Sequence, residues 1–103
     1  MSAPPFLLVF TPEAERVLVD LERRSQYEKK LRKVRRTLAR LEQAGPRYPG
    51  LNSHPYESVP GPHGKQLWES YVENRTPGAW RIWWIYGPEA DQLTIVTIGP
   101  HPD

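Results

Sequence analysis

The sequence predicts an α+β domain made of an N-terminal strand, a helical hairpin and a three-stranded antiparallel meander. Three observations lead there. Apolar residues recur at helical spacing through the first half of the chain and follow strand patterns in the last third. Residues 45–65, rich in proline and glycine, separate the two regimes as ordered turns rather than as a linker. The length, 103 residues, suits one domain that can bury a core without metal or disulfide staples, so a single domain is expected over residues 1–103.

Phe6-Leu-Leu-Val-Phe10 is a short apolar run that reads as a buried strand, behind a loose leader from Met1 to Pro5. Thr11-Pro12-Glu13 reads as a helix start. Threonine can cap, proline suits the first helical position, and Glu13 and Glu15 meet the positive end of the helix dipole. Ala14, Val17, Leu18 and Leu21 form one stripe, giving a first helix from about Pro12 to Arg24. Ser25 is placed to cap a second helix, whose Tyr27, Leu31, Val34, Leu38 and Leu41 share a face until Gly45-Pro46 stops it. With so short a connection the two helices must form a hairpin. Gln66 to Glu73, Ala79 to Tyr86 and Leu93 to Ile98 then read as strands, joined by turns at 74–78 and 87–91. A helical hairpin returns the chain to the end of the sheet it left, so the first strand is expected to pair antiparallel with a later one.

The hydrophobic content of 38%, with four tryptophans and five tyrosines, is enough for a folded domain despite twelve prolines. No cysteine is present, which excludes disulfides, thiolate nucleophiles and cysteine-based zinc sites. The opening apolar run is too short for a secretory signal core or a membrane span, so a soluble, cytoplasmic protein with no membrane partner is expected. The net charge of +2 hides an asymmetry. Nine basic residues between Arg23 and Arg40 are opposed there only by Glu28, a local charge of +8. Pairing along the helix cannot neutralise so one-sided a face, which points to a polyanion or an acidic protein partner. Lys30, Lys33 and Arg36 are its candidate RNA-binding residues.

Three stretches carry a resemblance: Gly64 to Val72 (GKQLWESYV), Gly78 to Tyr86 (GAWRIWWIY) and Ile95 to His101 (IVTIGPH). Together they resemble the C-terminal half of the RelE/ParE toxin superfamily, and the strand and helical hairpin before them match the same layout. The specific motif is short, centred on Trp80-Arg81 and Ile98-Gly99-Pro100-His101. The resemblance implies the toxin of a type II toxin–antitoxin system, neutralised by a cognate antitoxin. Its RelE/YoeB/HigB-like members are endoribonucleases that cut mRNA on the ribosome, while its ParE members inhibit DNA gyrase. No cofactor is implied.

RNA cleavage through the 2′-hydroxyl needs a base, a cation for charge developing on phosphate, and an acid for the leaving oxygen, but no metal. Period-two alternation places Trp80, Ile82, Trp84 and Tyr86 on the face that covers the helices and Arg81, Trp83 and Ile85 on the other. Trp68 and Val72 suit the core, so Glu69 and Tyr71 join Arg81, and His101 follows in phase with Thr97 and Gly99. Arg81 matches the arginine that ribosome-dependent members place in this strand for the phosphate; a salt bridge to Glu69 or Glu73 is the other reading. His101 falls close to the histidine of YoeB and can exchange a proton near neutrality; a frayed chain end is the other reading. Glu69 and Tyr71 stand where RelE carries lysines, and a carboxylate at 69 can act as a base. The catalytic candidates are therefore Arg81, His101 and Glu69.

Lys65 and Arg75 flank the strand and can supply further positive charge for RNA. Trp83 can stack a base, bind an antitoxin or be covered by the loop. His54 and His63 are too few and too scattered for a metal site and read as turn residues. The leading expectation is a metal-independent, ribosome-dependent mRNA endoribonuclease with ribosome, mRNA and antitoxin as partners. The alternatives are a ParE-like gyrase-inhibiting toxin and a catalytically inactive binding protein of the same fold.

Overall fold

Thr11 caps the first helix as the sequence predicts, accepting from the Ala14 N–H at 3.1 Å. Its hydroxyl also donates to Val96 O at 2.7 Å, which pins the helix start to the last strand. The computed structural model describes residues 3–102. Along the chain lie β1 (Leu7–Phe10), α1 (Pro12–Arg23), α2 (Glu28–Gln43), β2 (His54–Tyr56), β3 (Leu67–Tyr71), β4 (Trp80–Tyr86) and β5 (Gln92–Pro100). Ser25 does not cap α2: it opens a 3-10 turn over Ser25–Tyr27 with no side-chain cap, and α2 begins three residues later. At the far end Gly45 takes φ +87° and donates its N–H to Arg40 O at 3.0 Å, a reversal that a side chain would strain. Of the leader expected at residues 1–5, the first two lie outside the described residues. Pro4 packs by the helix end, where a Cβ on Gly45 would stand 3.1 Å from its Cγ.

The strands form one sheet of order β1-β5-β4-β3-β2. The meander β3-β4-β5 is antiparallel throughout. β1, however, pairs with β5 in parallel, Leu7 opposite Gln92 to Phe10 opposite Ile95, so the expected antiparallel pairing is corrected. The reason is an extra strand. The helical hairpin does deliver the chain for a strand running against β1, but that strand is β2, inside the stretch read as turns. One added reversal inverts every later direction, and β5 comes out parallel to β1. Among the described residues no helix is long and apolar enough to cross a membrane.

The two faces of the sheet divide as the alternation predicts. Ile82 and Trp84 are buried with Val34, Leu38 and Leu41 of α2, with Trp68, Trp80 and Tyr86 packed around them. Trp83 and Ile85 form a smaller cluster with Leu67 on the other face. A register shift between β4 and β5 places Trp83 opposite Thr97 but Trp84 opposite Ile95, leaving Val96 as the additional residue. Strict alternation cannot put Ile95 and Ile98, three residues apart, on one face. The bulge does, and both are buried in the main core.

Candidate active site

β3 carries the centre of the site. Glu69 lies opposite His54 of β2 and opposite Trp83 of β4, and Tyr71 lies opposite Arg81. The backbone N–H of His101 donates to Ala79 O at 2.9 Å, which holds this residue beside the sheet and removes the frayed-end reading. The Glu69 side chain is 2% exposed, with Oε1 2.9 Å from His54 Nε2 and 3.7 Å from Arg81 Nε, and Oε2 3.4 Å from His101 Nε2. A buried carboxylate needs such partners, because desolvation of an unpaired charge is costly. The two histidine side chains are 43% and 40% exposed. The cluster therefore has a buried anion and two solvent-facing imidazoles.

Both ring nitrogens of His54 face oxygen. Nδ1 is 2.7 Å from Asn52 O and Nε2 is 2.9 Å from Glu69 Oε1. Asn52 presents that carbonyl from a left-handed conformation, φ +47°. Tyr71 sets its ring edge-on to His54 at 5.8 Å, and Tyr56 does so to His101 at 6.3 Å. Arg81 lies beneath Tyr71, its guanidinium carbon 3.7 Å from the ring centroid. Its Nη1 donates to the carbonyls of Glu73 and Trp80. Nη2 makes no hydrogen bond to the described residues. Glu69 Oε2, Arg81 Nε and Trp83 Nε1 are buried without a hydrogen-bond partner, all on this face of the sheet.

Each candidate named from the sequence now has a place. Arg81, His101 and Glu69 do converge, and Glu69 is the buried member, its side chain 2% exposed. Arg81 leans on Glu69, which is the salt-bridge reading weighed for it, and its Nη2 has no hydrogen bond to the described residues. His54 is corrected from turn residue to cluster member. Two signals were available, the alternation of His54 and Tyr56 about Pro55 and the tolerance of edge strands for proline. Trp83 is 6% exposed and covered edge-on by Tyr56 at 5.8 Å, so its ring is not presented to a base; the covering loop is the reading that holds. Lys65 donates to Tyr86 O at 2.9 Å, away from the cluster. Arg75 is exposed in the β3–β4 turn with φ +63°. Arg36 is exposed on α2.

Lys30 and Lys33 are not the unpaired cations that the sequence suggests. They lie 2.7 and 3.1 Å from the two oxygens of Glu73, which also accepts from the Trp80 N–H at 3.1 Å. Burial alone would raise the Glu73 pKa, but the hydrogen bonds from Lys30, Lys33 and Trp80, with the Lys30 charge, bring it down to about 2. A depressed carboxylate contributes stability above its unfolded pKa and loses it as pH falls through the folded value. Wild-type protein is therefore expected to lose roughly 2–3 kcal/mol between about pH 4.5 and pH 2 from this group. Acid titration of Glu73→Gln, followed by circular dichroism, should show a flatter curve over that window and a lower plateau above it.

Solved structures share this layout. The YoeB–YefM complex from Staphylococcus aureus matches with TM-score 0.64 over 94% of this chain and 98% of that one, at 11% identity. The archaeal RelE–RelB complex from Pyrococcus horikoshii matches at 0.63 over 93% and 94%, at 10% identity. The chain has the RelE/ParE toxin fold. The DinJ–YafQ toxin–antitoxin complex of E. coli matches the same way, TM-score 0.59 over 94% and 93% at 14% identity. No family model and no curated relative matches the sequence. In this RelE/ParE fold the parallel β1–β5 pair and the short β2 edge frame the open face where His54, Glu69, Arg81 and His101 meet.

Proposed function

We propose that this chain is the toxin of a type II toxin–antitoxin system, acting in the cytoplasm as a metal-independent endoribonuclease on ribosome-bound mRNA and restrained by an antitoxin. The observation that carries the reading is the pair of solvent-facing histidines, His54 and His101, that face the two oxygens of buried Glu69. One imidazole takes the proton of the 2′-hydroxyl as its oxygen attacks the adjacent phosphorus. The other gives a proton to the departing 5′-oxygen, and a 2′,3′-cyclic phosphate remains. Glu69 holds both rings in place, and Arg81 offers Nη2 to charge building on the phosphate.

Controlled expression in a bacterium, with mRNA cleavage and DNA supercoiling read in parallel, tests the assignment. Growth arrest with cut mRNA and normal supercoiling is expected. Altered supercoiling with intact mRNA would favour gyrase inhibition instead. Chelators are expected to leave the cleavage rate unchanged. Arg81→Lys keeps the charge and loses the planar fork, so the rate should fall by about 100-fold, the scale of one lost transition-state donor. Replacing Arg81 also carries a structural cost, because Nη1 holds two backbone carbonyls. Thermal melting must therefore accompany the rate. Arrest by Arg81→Lys at the wild-type level would support the inactive-binder alternative, which the tight enclosure of Arg81 favours.

A further inference from the structure

Beside the cluster, between α2 and the β3–β4 turn, lies a polar cavity of about 230 Å³ lined by Lys33, Arg36, Thr37, Arg40, Tyr71 and Thr76 among others. Glu73 is its only acidic lining residue, and that carboxylate is already engaged by Lys30, Lys33 and the Trp80 N–H. Arg36 and Arg40 have no carboxylate partner among the described residues, whereas Arg35, on another side of the helix, pairs with Glu22 at 3.3 Å. Arg40 is held in place against Tyr48, its guanidinium carbon 5.0 Å from the ring centroid. Tyr71 belongs to both sites, since it lines the groove, covers Arg81 and meets His54 edge-on. We infer that this groove binds the phosphodiester backbone of the RNA strand flanking the cleavage point, with Arg36 and Arg40 as its main contacts. The inference rests on the nuclease reading and adds to it a binding site distinct from the residues that exchange protons. An acidic protein segment fits less well, because the lining offers few apolar anchors of the kind that hold a protein partner.

The probe is a single-stranded oligonucleotide with 2′-O-methyl sugars, which lacks the attacking hydroxyl and cannot be cut. Its binding is measured by fluorescence anisotropy across a salt series. Arg36→Gln/Arg40→Gln is compared with Arg16→Gln/Arg47→Gln, the same charge change at exposed positions outside the groove. Each phosphate contact on a single strand contributes about 0.7 to the slope of log K against log salt, so the groove variant should lose about 1.4 and the control far less. With ribosome-bound mRNA as substrate the groove variant should raise KM and leave kcat near wild type. Equal losses in the two variants, or wild-type binding by the groove variant, would overturn the inference. So would binding of an acidic peptide to the groove with none of the oligonucleotide. If groove-dependent binding appears but the wild-type protein cuts no ribosome-bound mRNA, the groove stands and the nuclease reading fails.

Discussion

His101→Ala is expected to lower RNA cleavage by about 100- to 10,000-fold, the usual contribution of a positioned proton-transfer group. The ring is poised for that role by Glu69 Oε2 at 3.4 Å, by its own backbone bond to Ala79 O, and by the edge-on Tyr56. His54→Ala should cost as much, because His54 takes the other carboxylate oxygen. A two-histidine mechanism gives a bell-shaped pH profile of kcat/KM, and each alanine variant should lose one limb. The limb lost names the base and the acid. Glu69→Gln keeps the shape and removes the charge. As a positioning residue it should move the profile as well as lower the rate, which a purely structural role would not do. Cleavage at the wild-type level by both histidine variants would remove the nuclease assignment.

Trp84→Ala should destabilise the fold by about 3–5 kcal/mol, as a large core truncation does. Trp84 is fully buried, stacked on Trp68 at 5.7 Å between centroids and edge-on to Tyr86 at 4.9 Å. Its Nε1 also donates to Ser70 Oγ at 2.8 Å inside the core. Ser70 keeps a second partner in Ser53 Oγ at 2.7 Å, so the loss comes mainly from the cavity. Denaturant unfolding at constant m-value reads the change directly. Trp84→Phe should recover most of the packing and leave a smaller deficit from the missing N–H donor. A midpoint for Trp84→Ala within about 1 kcal/mol of wild type would contradict the assignment of this face to the core.

The helices and the three strands of the meander were legible because each writes its own period into the chain. Val34, Leu38 and Leu41 mark one face of α2, and Ile82 and Trp84 mark one face of β4, without reference to any other segment. The open-face cluster of Glu69, Tyr71, Arg81 and His101 followed from the same alternation. β2 did not follow. It has only three residues, one of them proline, and turns surround it, so no periodic run exists to detect. Its loss from the reading carried two consequences, the wrong direction for β1 and the demotion of His54 to a turn.

By itself the sequence determined the helical hairpin, the meander, the division of β4 into a core face and an open face, and a strongly basic second helix. Each of these depends on neighbours a few residues apart. The tertiary structure decided the parallel β1–β5 pairing, the entry of His54 into the cluster and the fate of each charge. Lys30 and Lys33 lie 43 and 40 residues from Glu73 in sequence, yet the fold brings both onto its carboxylate, so two of the three α2 cations chosen for RNA are already paired. Arg81 is likewise enclosed by carbonyls and by Tyr71. Local periodicity tells which way a side chain points. What stands opposite it is set by strand register and helix packing, and those are long-range contacts that no short window of sequence contains.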